Sequence, residues 1–154
     1  MDEKAKQIIE KIPYITIATS DESGQPWNSP VYCAYDGKYN FYWASDQNGQ
    51  HSKNISHNNK IFLVIYDSTV PAGTGEGVYI QAKAQMLTDV TEIKKALKLL
   101  YDRTNEMPSD KEEEAFLGEY PRRIYKAIPE KIWMNGDGEV NGNFIDIRKE
   151  VHIL

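Results

Sequence analysis

Separate segments of the chain are predicted to be helical, either from the helical spacing of their apolar residues or from a capping signal at their start. The first helix is predicted over residues 5–12 and stops at Pro13, because proline cannot continue a helix. A longer helix can be capped by Asp89 or Thr91, and its apolar stripe consists of Ile93, Ala96, Leu97, Leu100 and Tyr101. A capping box opens another, acidic helix predicted over residues 109–117.

Extended patterns fill most of the remaining chain. Strands are predicted at residues 14–19, 28–35, 39–43, 61–66 and 78–86, and the chain becomes extended again through residues 123–127 and 129–134 and near residues 144–147, which gives about six or seven strands. Turn clusters at residues 21–26, 36–37 and 135–138 predict hairpins, and the early strands therefore favour an antiparallel meander. Residues 61–66 are apolar at every position, which predicts a central strand covered on both faces. Residues 78–86 alternate, which predicts one solvent-exposed face.

This order of elements favours one domain over residues 1–154. Hairpin turns join the early strands, and the second and third predicted helices come late in the chain. A doubly wound parallel sheet would need helices between successive strands, which the early strands lack. We therefore expect a mainly β, α+β fold: an antiparallel β-barrel of about six or seven strands with peripheral helices.

Composition and charge narrow the classes of function. The 154 residues carry a formal net charge of −5, whereas nucleic-acid and anionic-membrane surfaces need a strong excess of Lys and Arg. No run approaches the ~18 apolar residues of a membrane span, and the N-terminus lacks a signal-peptide core, so a cytoplasmic protein without nucleic-acid or membrane partners is expected. Cys33 is the only cysteine, and its strand-like surroundings favour a buried hydrophobic role.

The most informative polar segment follows the aromatic run at residues 41–43. A loop rich in Ser, Asn and Gly leads from it to His51, Ser52 and Lys53 at the start of a short helix-like segment. Residues 47–66 contain no acid, although the chain holds 23 Asp and Glu. Free backbone N–H groups, hydroxyls and positive charge favour a phosphate or another anion at this point. An ordinary surface connection is the alternative interpretation.

Other chemistry has less support in the sequence. His51 and His57 do not share a helix face, so they do not form a metal-binding pair, and no metal site is expected. No glycine-flanked serine elbow indicates a hydrolase. An aromatic strand beside a polar loop instead suits a planar aromatic cofactor with a phosphorylated tail, because the ring needs flat apolar contacts and the tail needs polar groups. Flavin mononucleotide (FMN) is such a molecule.

Short motifs occur along the chain in the order found in a known family. They are Ile17-Ala18-Thr19, Gly24-Gln25-Pro26, Ser29-Pro30-Val31, Phe41-Tyr42-Trp43-Ala44-Ser45, His51-Ser52-Lys53-Asn54-Ile55 and Asn58. This order resembles the pyridoxamine 5′-phosphate oxidase-like superfamily, and it is most similar to the general-stress-protein branch of small FMN-binding split barrels. The resemblance spans roughly residues 11–88, with a weaker echo at residues 132–134 and 145–148.

The resemblance implies a split β-barrel homodimer that binds two FMN molecules in clefts between its subunits. By position, the resemblance places four residues along the flavin ring and ribityl chain: Asn28, Ser29, Pro30 and Val31. The resemblance places three residues on the adjoining strand: Trp43, Ala44 and Ser45. The residues that would hold the phosphate are His51, Ser52, Lys53 and Asn54. Trp133 would reach the flavin bound to the partner subunit. No catalytic residue is predicted.

Departures from the family pattern limit the expected activity. The oxidase of the family has an Arg near the position of Asn28 or Ser29 and an Arg-Lys pair at the phosphate helix, where this chain has Lys53 as a single fixed charge. The spacing of Arg148 and His152 does not reproduce the substrate-binding Arg-x-His of that oxidase. We therefore expect a flavin-dependent oxidoreductase that acts on a small molecule other than pyridoxamine phosphate. A flavin or ligand sensor without turnover and a binder of deazaflavin or haem are the alternatives.

Overall fold

The computed structural model describes residues 1–104 and 113–153. Its helices are α1 (Asp2–Lys11), α2 (Gln50–His57) and α3 (Val90–Thr104), and a 3-10 turn covers Glu113–Phe116. Its strands are β1 (Tyr14–Ser20), β2 (Pro26–Tyr32), β3 (Ala34–Tyr35), β4 (Phe41–Asp46), β5 (Lys60–Tyr66), β6 (Gly77–Met86), β7 (Arg122–Val140) and β8 (Asn143–Glu150). The predicted first helix and the predicted cap of α3 are confirmed, since Asp89 Oδ1 accepts a hydrogen bond from the Glu92 amide at 2.8 Å. The capping box predicted at residues 109–112 lies outside the described residues.

All strand pairs are antiparallel and belong to one sheet. The sheet order is β2-β1-β5-β6-β7-β4-β3, and β8 pairs with β7. The predicted mainly β, α+β class with peripheral helices is confirmed, but the sheet has 8 strands, more than expected. Among the described strands no ladder joins the two edges, β2 and β3, so the sheet is not closed.

The segment predicted as one strand at residues 28–35 is divided at Cys33. Its first part, β2, pairs with β1, whereas its second part, β3, pairs with β4 near the opposite edge of the sheet. The Cys33 amide donates to the Pro13 carbonyl at 2.9 Å where the chain passes between the edges. Both predicted early hairpins form, β1 with β2 and β3 with β4. They do not make one continuous meander, because the middle strand is divided and the other neighbour of β4 is β7. Side-chain alternation predicts a strand, but it does not select a partner that is distant in sequence.

The last hairpin turns later than predicted. β7 continues through residues 135–138, and the turn lies at Asn141 and Gly142, whose φ angles are 52° and 77°. The prediction was wrong because Asn-Gly occurs at both places and carries the same turn chemistry. Pro129 also stays inside β7, since the register shifts at the Gln81–Ala82 step opposite it and such an irregularity tolerates a missing N–H.

Two apolar clusters form the core. The cluster inside the curved sheet includes Ile15, Ile17, Trp43, Leu63, Ile80 and Ala127. The cluster under α3 includes Tyr42, Leu87, Ile93, Ala96, Leu97, Leu100 and Ile124, so the predicted stripe of α3 is a core face. β6 alternates as predicted, but β5 is not covered on both faces, because Phe62 is 37% and Tyr66 49% exposed. The outer face of β5 is apolar and uncovered in this chain.

Candidate functional site

An open groove of about 720 Å³ lies between β2 and β4 beside α3. These elements line it with Pro30, Val31, Tyr32, Ala44, Ser45, Asp46, Leu97, Leu100, Tyr101 and Thr104. The rest of the lining is Tyr14, His51, Phe116, Tyr120 and Arg122. We call this site the edge groove. Of the residues predicted at a cofactor, it brings together Pro30, Val31, Ala44, Ser45 and His51.

The alternation of side chains along β4 separates two of the predicted residues. Ala44 lines the edge groove, whereas Trp43 is fully buried in the inner core. The Trp43 indole stacks on Tyr125, with ring centroids 5.6 Å apart and an interplanar angle of 14°. Trp43 therefore supports the strand from the core side rather than lining the groove.

Helix α2 is fixed to β1 by side-chain amides. Asn54 Nδ2 donates to Thr19 Oγ1 at 3.0 Å, and both residues are buried. Asn58 Nδ2 donates to Ser20 Oγ at 3.1 Å. These contacts set the orientation of α2, and in that orientation His51 lines the edge groove. The side chain of Asn54 therefore stabilises the packing of α2 against β1.

Several other predicted residues lie outside the lining of the edge groove. Lys53 is exposed on α2, and Asn28 is exposed on β2. Ser29 Oγ accepts a hydrogen bond from the Trp27 indole at 2.9 Å. The sequence motif therefore spreads over a larger surface than the groove alone.

One row of cross-strand pairs connects the edge groove with Trp133. Pro30 pairs with Thr16, Thr16 with Val64, Val64 with Tyr79, and Tyr79 with Trp133. Residues directly opposite one another in neighbouring strands project to the same face of a sheet. Trp133 is thus distant along the sheet from Pro30 but lies on the same face.

His51 carries an unpartnered nitrogen at the edge groove. Its Nε2 atom is buried and makes no hydrogen bond to any residue that the structure describes. Burial lowers the pKa of the imidazole from its ordinary value of 6.5, so the neutral form dominates at neutral pH. A buried polar atom without a partner costs about 1–3 kcal/mol. His51 is thus a lining residue of the edge groove with one buried nitrogen that no described residue satisfies.

Ser52 lies on the core side of α2. It is 3% exposed, and its hydroxyl makes no hydrogen bond of ordinary geometry with the described part of the chain. Burial raises the pKa of Tyr125, and the neighbouring Ser52 hydroxyl offsets part of that rise. Ser52 is therefore close to Tyr125 and is not part of the groove lining.

Arg122 is a groove residue that the sequence motifs do not single out. It starts β7 opposite Asp46, and its Nη2 donates one long hydrogen bond, 3.4 Å, to the Ala44 carbonyl. The next residue, Arg123, is buried and donates to the Gly118 carbonyl at 2.7 Å. Consecutive strand residues point to opposite faces, so an Arg-Arg pair at a strand start places one guanidinium outside. That pair is the signal in the sequence that points to Arg122.

Other chemical groups do not form a second site of this kind. Burial raises the pKa of the Cys33 thiol to about 12, which makes it inert as a nucleophile. Within residues 1–104 and 113–153, no group of three or more His, Cys, Asp or Glu side chains is arranged to hold a metal ion. None of the helices in those ranges is long and apolar enough to cross a membrane.

Solved structures with this fold have varied descriptions. The heme storage protein HutZ from Vibrio cholerae is 14% identical, with a TM-score of 0.70, and the match covers 85% of this chain and 92% of that one. A heme binding protein from Mycobacterium smegmatis is 15% identical, with a TM-score of 0.69 and coverage of 96% and 57%. A protein described as an F420 reductase is 20% identical, with a TM-score of 0.62 and coverage of 86% and 98%. At these identities the likeness shows a shared fold.

The sequence itself matches a family model. A search of curated protein sequences finds no significant match. The model for pyridoxamine 5′-phosphate oxidase matches residues 1–135. The match does not distinguish branches of the family, so the likeness to the general-stress-protein branch stays a prediction. The chain belongs to the pyridoxamine 5′-phosphate oxidase family.

Proposed function

We propose that the edge groove binds FMN and that the protein is a flavin-dependent oxidoreductase acting on a small molecule. The observation that carries this proposal is the buried, unpartnered Nε2 of His51 in a groove that also contains Arg122. A polar and cationic end next to an apolar wall matches a molecule with a phosphorylated tail and a flat ring.

The shape and lining of the edge groove support this choice of ligand. Its volume of about 720 Å³ lies within the range of small-molecule sites. Pro30, Ala44 and Leu97 give apolar surface for a planar ring. His51 and Arg122 supply polar groups for the tail. The site thus combines both kinds of contact that FMN requires.

The protein's own residues would bind and orient the cofactor. Bound FMN supplies the redox chemistry, since its ring accepts and donates electrons or a hydride. Pro30 and Ala44 would hold the ring by apolar contact, and the neutral His51 would form a hydrogen bond with the tail. We assign no catalytic residue, because binding and positioning of the cofactor are the roles that this lining supports.

We further propose a homodimer with the cofactor at the subunit interface. Phe62 and Trp133 stack on the outer face of the sheet, with centroids 6.3 Å apart. Phe62 and Tyr66 are exposed, and the row of pairs through Val64 and Tyr79 leads from this surface to the groove. Exposed aromatic residues in a contiguous patch mark interaction surfaces. We call this patch the aromatic face.

Haem is a second candidate ligand, favoured by one specific observation. A neutral imidazole with a free, buried nitrogen is the form of histidine that binds iron, and His51 Nε2 fits this description. The similarity in fold to heme-binding proteins supports the same candidate. A deazaflavin would need the same flat contacts as FMN, and the groove lining does not favour it over FMN.

The absorption spectrum of the purified protein separates these candidates. FMN gives a yellow protein that releases a free flavin spectrum on denaturation, whereas haem gives a Soret band. The groove-filling variant Ala44→Trp should lose the flavin. Val70→Trp is the matched control, because Val70 is 38% exposed in the loop before β6 and should leave binding unchanged. A colourless protein that does not bind added FMN contradicts the proposal.

A further inference from the structure

Arg122 carries a positive charge that no acid of the described structure neutralises. Among residues 1–104 and 113–153, its guanidinium forms no ion pair, and its hydrogen bond to the Ala44 carbonyl is long. Asp46 lies opposite in the strand pair, but its Oδ1 accepts a hydrogen bond from the Asn48 amide at 2.8 Å. Within the described residues, the guanidinium of Arg122 therefore has no acidic partner.

Lys53, the fixed charge that the sequence motif favours, has a different location. It is exposed on α2 and is not part of the groove lining. Its backbone amide donates to the Gly49 carbonyl at 3.0 Å, which is an ordinary contact of the first helical turn. Of the described residues that line the edge groove, the basic ones are His51 and Arg122.

We propose that Arg122 is the anion-binding residue of the edge groove and that it holds a phosphate monoester together with His51. A guanidinium presents a planar fork of N–H donors that matches two phosphate oxygens, and the neutral imidazole adds one more donor. The carboxylate of Asp46, which also lines the groove, repels an anion and therefore weakens the attraction that Arg122 provides. The identity of the ligand as FMN rests on the proposed function, whereas the role of Arg122 does not.

Comparison of FMN with riboflavin tests this role, because the two differ only in the phosphate. Wild-type protein should bind FMN more tightly than riboflavin. Arg122→Gln should weaken FMN binding by about 10- to 100-fold and leave riboflavin binding unchanged, since a hydrogen bond to a charged group contributes at this level. Lys53→Gln is the matched control and should change neither affinity by more than about 2-fold.

Three results would overturn the assignment. The first is equal affinity of wild-type protein for FMN and riboflavin. The second is an equal loss of both flavins in Arg122→Gln, which would indicate a role in the shape of the groove. The third is a selective loss of FMN in Lys53→Gln. Arg122→Lys, which keeps the charge but loses the fork, should lie between wild type and Arg122→Gln, and circular dichroism checks that each variant is folded.

A separate measurement decides the role of Arg122 if the wild-type protein binds neither flavin. That result would refute the proposed function. In that event inorganic pyrophosphate is the probe, and thermal unfolding is followed with and without it. Stabilisation of wild type but not of Arg122→Gln supports the anion site. Equal stabilisation of both proteins, or of neither, overturns it.

Discussion

Asn54 donates a hydrogen bond from Nδ2 to Thr19 Oγ1 across 3.0 Å, and this contact fixes α2 against β1. Asn54 is 2% and Thr19 4% exposed, so water does not replace the bond when one partner is removed. The position of His51 in the edge groove depends on this orientation of α2. A polar residue of the motif, Asn54, therefore acts on the site by positioning α2.

Asn54→Ala should lower the free energy of unfolding by about 1–3 kcal/mol, because it leaves the buried Thr19 hydroxyl without a donor. Urea denaturation measures this change. In a double-mutant cycle with Thr19→Val, the combined loss should be smaller than the sum of the single losses. Strictly additive losses would show that the two side chains do not interact.

The stability of the protein should depend on the ionisation of His51. Burial lowers its pKa below 6.5, so the unfolded chain binds the proton more readily than the folded chain. The free energy of unfolding should therefore fall as the pH decreases below 6.5 towards the folded-state pKa, and this contribution should be constant above 6.5. Urea denaturation across this range checks the prediction. His51→Gln should show a weaker pH dependence, and an identical profile would contradict the buried state of His51.

Asp36 should stabilise the hairpin between β3 and β4 at neutral pH. Burial raises the pKa of its carboxyl, but hydrogen bonds from Lys95, Asn40 and Lys38 outweigh burial and hold the pKa well below its usual range. Tyr42 also donates its hydroxyl to Asp36 Oδ2 at 3.0 Å.

Asp36→Asn should cost about 1–3 kcal/mol at neutral pH. A group with a lowered folded-state pKa stabilises above its unfolded pKa of 3.8, so the difference from wild type should shrink as the pH falls through and below that value. Urea denaturation at pH 7 and in acid measures it. A difference that stays constant would contradict the ionised state of Asp36.

The aromatic face should hold the proposed dimer together. Phe62→Glu places a charge next to Trp133 and should convert the dimer to a monomer in sedimentation velocity experiments. Met86→Glu is the matched control, because Met86 is 43% exposed on the opposite side of the sheet. A wild-type protein that is monomeric at high concentration, or a dimer that tolerates Phe62→Glu, would contradict the proposal.

The negative charge of Asp46 should lower the affinity of the edge groove for an anion. Asp46→Asn keeps the hydrogen-bond acceptor for the Asn48 amide and removes the negative charge opposite Arg122. We expect FMN binding to tighten by about 2- to 5-fold, as for a single exposed charge, and riboflavin binding to stay unchanged. A fluorescence titration measures both affinities, and weaker FMN binding would place the phosphate away from Asp46.

Local sequence patterns predicted the helices and strands better than they predicted which strands pair with each other. The period-2 alternation of β6 and the stripe of α3 come from neighbouring residues, so the sequence is enough to predict both. The groove residue Arg122 lies 78 positions from its contact at Ala44, and only the pairing of β4 with β7 brings them together. Lys53 differs, since its predicted role at the phosphate rests on charge and spacing alone, whereas the structure shows it exposed on α2 and outside the lining of the edge groove.

The crystal structure of the protein with bound FMN tests the central claim most directly. We predict that the flavin ring lies in the edge groove against Pro30 and Ala44, with the phosphate within hydrogen-bond distance of Arg122 and His51. FMN bound at any other surface, or crystals that remain free of flavin at saturating FMN, would contradict this account.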